Sequence, residues 1–178
     1  MTRLKTITPE EATGETANVY GAIKSALGGI PNIFQGIANS PRALGIFLSI
    51  GEGLKSGLLS GAEQELIALA VAQKNSCEYC LSAHTVLGKM NGLNEQQMLD
   101  IRRGNSEDSK RQALIKLVSE IVSEKGHISD ATLDNFRGQG YTDAHVPEVL
   151  LSIVQNIYTN YFNHINKTVV DFPKPPSI

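Results

Sequence analysis

The sequence has no apolar run long enough to cross a membrane, little cysteine, and no excess of one charge. The longest apolar stretch near its centre, Leu66 to Ala72, is far too short to span a bilayer. The first residues, MTRLKTITPEEATG, lack an apolar core of signal-peptide length. A soluble, cytoplasmic protein is therefore expected. Lys and Arg number 16 against 18 Asp and Glu, a net charge of −2, and no Lys/Arg stripe offers a phosphate-binding face. Nucleic acid is thus not an expected partner, and neither is a membrane. The one glycine-rich segment, GEGLKSG, has neither the Walker spacing nor a preceding strand, so it is no nucleotide site. Repeats, low-complexity linkers and convincing strands are also missing.

What is present is a globular composition, 41% apolar and 19% charged over 178 residues. That length suits a single domain, 1–178, with a core that needs no disulfide or metal staple. The segment DFPKPPSI, at about 171–178, cannot continue a helix and forms a tail that is loose or laid on a neighbour. Almost every other segment reads as helix. Thr8-Pro9-Glu10-Glu11 combines a capping residue, a proline at the first helical position and first-turn acids, predicting a helix from there to about Leu27. IPNIFQGIANSP predicts a loop with a short helix. Ser40-Pro41 and Ser60 open the next two helices, and NEQQMLDIRRG is a short amphipathic helix stopping at Gly104. SKRQALIKLVSEIVSEKG gathers Leu114, Leu117, Val118, Ile121 and Val122 on one face. Ser129 starts another short helix. The longest, from about Asp143 to about Lys167, repeats apolar residues at three and four. The expectation is an all-α bundle of roughly seven to nine helices. The apolar stripe of the last helix is suited to a subunit interface.

The chain's two cysteines, Cys77 and Cys80, lie in NSCEYCLSAH, with His84 four positions after Cys80. Ser76 is expected to cap a helix beginning at Cys77. At about 100° per residue, Cys77, Cys80 and His84 fall within an arc of about 60° on one face. Three readings compete: buried core cysteines with a satisfied histidine, three ligands of a zinc site, or a redox dithiol beside an acid–base group. The zinc reading needs a fourth ligand, and no second CxxC or HxxxH exists. The redox reading is preferred, because thiols three apart can close a disulfide and an imidazole can manage their protons. A thioredoxin arrangement would need a strand before the motif, whereas SGAEQELIALAVAQKN reads as helix. Cys77, at the helix start, is favoured as the more acidic thiol. Cys80, one turn above His84, is favoured by its base. Glu65, where the apolar run begins, is either a first-turn glutamate serving the helix dipole or a half-buried carboxylate facing the thiol–histidine group. His127, His145 and His164 read as loop, capping and helix-surface residues, and Tyr158, Tyr161 and Phe162 as core or interface.

Glu65, Cys77, Cys80 and His84, at these spacings, resemble the E…C-x-x-C-x-x-x-H signature of the carboxymuconolactone decarboxylase/AhpD-like superfamily. Its peroxidase-related subgroup, with an alkylhydroperoxidase D core, is the most similar. LSGAEQELIALAVAQKNSC, PNIFQGIANSP and the late YFNHIN extend the resemblance over most of the chain. The resemblance implies an all-α fold assembled as trimers or hexamers and thiol-dependent reduction of hydroperoxides, an antioxidant activity. It implies Cys80 as the attacking thiol, Cys77 as the resolving one, and Glu65 with His84 as the proton relay. No bound cofactor is implied; an external dithiol, lipoamide-like or thioredoxin-like, would restore the thiols. Tyr79 stands where the best-known AhpD proteins carry a histidine, which removes one acid–base group and leaves Tyr79 a possible auxiliary. The family's decarboxylase branch does not depend on a cysteine pair, so the dithiol argues against a lactone lyase. The remaining alternative class is a redox sensor or zinc-binding module that turns nothing over.

Overall fold

Six helices of this chain begin where a side chain accepts a free N–H of the first turn. A computed structural model describes residues 1–178 and contains nine helices and no strand. They are α1 (Gly14–Leu27), α2 (Asn32–Ile37), α3 (Pro41–Lys55), α4 (Gly61–Lys74), α5 (Glu78–Met90), α6 (Glu95–Arg103), α7 (Ser109–Ser123), α8 (Asp130–Gly138) and α9 (His145–Asn166). Ser40 caps α3 and Ser129 caps α8 as expected, each accepting from an N–H three residues on. Ser60 and Glu63 form a full capping box on α4. α6 stops at Gly104, whose φ of 86° is left-handed.

Two predicted starts differ. The Thr8–Glu11 signal produces one hydrogen-bonded turn, with Ala12 N–H donating to Thr8 O. The helix itself begins only at Gly14, because Thr13 is extended and Gly14 has φ +55°. Ser76 does not cap α5. It sits in the left-handed region at φ 53°, where the N-cap geometry is out of reach, and Cys77 takes the N-cap place.

α4 lies at the centre and packs against α5, α6, α7 and α9. Its run Leu66 to Ala72 is buried on every side, which explains why it is apolar throughout rather than striped. α2 and α3 lie on α9, α1 lies on α3, and α8 packs on α7. The core is one cluster of 29 buried residues that includes both cysteines. At about 1.5–3 kcal/mol for each large side chain buried, Leu66, Ile67 and Leu69 anchor the helix that carries Glu65. No helix is long and apolar enough to cross a membrane.

The tail is laid on the fold. Asn32 N–H donates to Asp171 Oδ2 at 2.8 Å, and Arg102 Nη1 donates to Pro176 O at 2.6 Å.

Candidate active site

α4 and α5 are joined by the turn Asn75-Ser76-Cys77, closed by Cys77 N–H donating to Ala72 O at 2.9 Å. This turn sets α5 back along α4, so the start of α5 lies by the end of α4 and His84, seven residues in, comes level with Glu65 in the first half of α4. His84 Nδ1 and Glu65 Oε2 meet at 2.8 Å, with side chains 21% and 13% exposed. Glu65 thus faces the cysteine helix rather than serving only the helix dipole. With Nδ1 engaged, the His84 tautomer is fixed by its carboxylate and Nε2 is left for the pocket.

Cys77 and Cys80 form a disulfide, with Cα atoms 5.3 Å apart. The two sulfurs have different surroundings. Cys77 Sγ accepts the Cys80 N–H at 3.3 Å, so sulfur does at this N-cap what a serine oxygen does elsewhere. Cys80 faces a pocket of about 140 Å³ and Cys77 does not. The walls are mostly apolar: Phe34, Phe47, Ala83, Leu87 and Phe172 among others, with His84 also on the wall. Both cysteines are nearly covered, at 1% and 3% exposure, so the pocket is the way to sulfur.

Tyr79 turns its hydroxyl away from the sulfurs. It accepts the Ile33 N–H at 3.2 Å, and its ring meets Phe172 edge-on at 5.7 Å. Burial, and then the neighbouring Asp171 carboxylate, push this hydroxyl well above the usual tyrosine range, so it stays protonated. Tyr79 therefore ties α2 and the tail to the cysteine helix.

One residue of the site went unnoticed in the sequence. Asn163 of α9 places Nδ2 3.4 Å from Cys80 Sγ and 3.9 Å from Cys77 Sγ. Asn163 falls in YFNHIN, which carries part of the resemblance but assigns the asparagine no role, and its partners lie more than eighty positions away. His127 and His164 are exposed; His145 does not cap α9, and its Nδ1 instead accepts the Thr142 N–H at 3.0 Å in the preceding turn while its ring packs edge-on against Tyr141. No group of three or more His, Cys, Asp or Glu side chains is arranged to hold a metal ion.

Comparison with known proteins bears on the fold and on the segment that holds the cysteines. Residues 41–110 match the Carboxymuconolactone decarboxylase family. No curated protein matches the chain in sequence. Among solved structures, an alkylhydroperoxidase AhpD core, peroxidase-related protein from Ralstonia eutropha JMP134 superposes with a TM-score of 0.86 at 16% identity, covering 96% of this chain and 92% of that one. A peroxidase-related protein from Silicibacter sp. TM1040 gives 0.78 at 20% identity, over 95% and 94%. The debrominase Bmp8, in complex with 2,3,4-tribromopyrrole, gives 0.81 at 14% identity, over 96% and 92%. The segment that matches the Carboxymuconolactone decarboxylase family model holds Glu65, Cys77, Cys80 and His84, and the fold is similar to that of the AhpD-core, peroxidase-related structures nearly end to end.

Proposed function

We propose that the chain is a thiol-dependent peroxidase working through a Cys77–Cys80 dithiol/disulfide cycle. The observation that carries this reading is the facing of Cys80 into an apolar pocket, with His84 on the pocket wall, Glu65 paired to His84, and Cys77 bonded to Cys80 outside the lining. Access supports Cys80 as the attacking thiol, and in this reading its proton passes to His84, held by Glu65. The thiolate attacks the terminal oxygen of ROOH. The S–O bond forms, the O–O bond breaks, and the alkoxide leaves and takes a proton from the His84 imidazolium. Cys80 is now a sulfenic acid. Cys77 thiolate attacks its sulfur, and hydroxide leaves as water once protonated. The sum is ROOH plus two thiols giving ROH, water and one disulfide.

An external dithiol, lipoamide-like or thioredoxin-like, reverses the oxidation by exchange. It attacks Cys80, the reachable sulfur, and Cys77 leaves as a thiolate stabilised at the helix N-cap. The assembly is a homo-oligomer, a trimer or hexamer, formed on the exposed apolar side of α9. In a stoichiometric test, reduced protein treated with cumene hydroperoxide should lose two thiols per peroxide consumed. Thiols that survive excess peroxide would contradict the reading.

A second reading is supported by the aromatic walls of the pocket and the fold shared with a debrominase. The same dithiol could take bromine from a flat haloaromatic, giving ArH, bromide and the disulfide. Release of bromide from 2,3,4-tribromopyrrole faster than reduction of cumene hydroperoxide would favour it.

A further inference from the structure

Four buried asparagines line one face of α9: Asn156, Asn160, Asn163 and Asn166. Three of them serve the scaffold. Asn156 Nδ2 donates to Ser152 O at 2.9 Å, and Asn160 Oδ1 accepts from Asn75 Nδ2 at 2.9 Å. Asn166 Oδ1 accepts the Leu4 N–H at 3.0 Å, and its Nδ2 donates to Thr168 Oγ1 at 3.1 Å. Asn163 is different. Its hydrogen-bond partners are the two sulfurs, nearer Cys80 than Cys77. It is 5% exposed, lines the pocket, and its Oδ1 is buried without a partner. A buried carboxamide oxygen normally finds a donor, so one left open beside a reactive sulfur points to a donor that arrives with the substrate.

We propose that Asn163 is a further catalytic residue of this site. Its Nδ2–H donates to the Cys80 thiolate and holds that sulfur ionised and aimed at the pocket. Its Oδ1 accepts the terminal O–H of the incoming hydroperoxide and keeps it through the attack, because that hydrogen stays on the oxygen transferred to sulfur. The second role rests on the peroxidase reading; the first does not. Asn163 suits the task because it is uncharged and cannot take the proton that His84 must handle. The ionisable groups facing Cys80 are Cys77 and His84, with Glu65 behind His84, and Tyr79 with Asp171 beside it. The pocket-lining residues of α1, α2, α3 and α9 bring no charge to the pocket.

The test uses the Cys77→Ser background, where Cys80 is the one thiol, and follows its alkylation by iodoacetamide against pH. Asn163→Ala should raise the apparent thiol pKa by about half a unit or more, and Asn163→Asp should raise it further through like-charge repulsion. Asn160→Ala, on the same face without sulfur contact, should leave the profile in place. If Asn163→Ala does not fold, Asn163→Ser, too short to reach sulfur, is read in the same way. An unshifted profile in the folded variant overturns the first role. At a pH where the thiol is fully ionised, Asn163→Ala should still react about tenfold more slowly with cumene hydroperoxide. Equal rates there overturn the second. A shifted profile in a protein inert to every hydroperoxide would sink the peroxidase reading alone and keep Asn163 as the thiolate donor.

Discussion

Cys77 and Cys80 are chemically alike and three positions apart, and their environments differ. The N-cap hydrogen bond suits Cys77 to be a good leaving group, whereas the pocket and Asn163 suit Cys80 to be attacked and to attack. After hydroperoxide and dimedone, mass spectrometry should find the adduct on Cys80 in Cys77→Ser, and little or none on Cys77 in Cys80→Ser. Glu65→Gln keeps the shape of the His84 contact but removes its charge, and should slow thiol oxidation about 10²-fold. A change under threefold would mean that the pair is structural. At this scale the sequence was readable where the chemistry is local: Cys80 and His84 share the face of α5 that lines the pocket, and Cys77 reaches Cys80 from the N-cap rather than from that face. Glu65 was readable through the spacing it shares with a family signature. Asn163 was not, because only the packing of α9 against α5 brings it to sulfur.

Helix ends were legible where a side chain alone decides them and misread where backbone conformation does. Ser60 is in the first group. Its N–H and hydroxyl donate to Glu63 Oε2 at 2.9 and 2.7 Å, while its Oγ accepts the Glu63 N–H at 3.3 Å. Ser60→Ala should cost about 1 kcal/mol in denaturant unfolding. Burial is the largest influence on the Glu63 carboxyl and pushes it up. The Ser60 hydrogen bonds, the Tyr141 hydroxyl and Lys110 together outweigh it and hold the carboxyl below 4.5. A carboxyl depressed in the folded state stabilises above its unfolded pKa. That contribution should be lost as pH falls below 4.5, and Glu63→Gln should flatten this part of the stability–pH curve. Ser76 and Gly14 are in the second group: both have positive φ, a conformation glycine permits and serine rarely adopts, so at Ser76 no propensity announces it. The short α2 meets α9 at Gly36, where an added Cβ would sit 2.8 Å from Asn166 Nδ2 and 2.9 Å from Phe162 Cε1. Gly36→Ala should therefore destabilise by about 1–3 kcal/mol, read from thermal or denaturant unfolding.

Over the whole molecule, the all-helical character followed from periodicity, whereas the course of the tail depended on contacts that no local pattern encodes. Phe172 stands between the pocket at Cys80 and a neighbouring cleft of about 360 Å³, lining both. Phe172→Ala should join them and raise the preference for cumene hydroperoxide over hydrogen peroxide; an unchanged ratio would remove the tail from any part in selectivity. Leu150, Val154, Tyr158, Tyr161 and Ile165 leave an exposed apolar stripe along α9, continued by Ile46 on α3. Sedimentation velocity at micromolar concentration should find an oligomer, and Val154→Asp should dissociate it; a monomeric parent would contradict the assembly. The central claim is catalytic turnover by the dithiol. The most direct measurement supplies reduced protein with cumene hydroperoxide and excess dihydrolipoamide and counts peroxide consumed per chain. Many turnovers are expected, abolished by Cys80→Ser. One equivalent followed by arrest, or consumption untouched by Cys80→Ser, would contradict it.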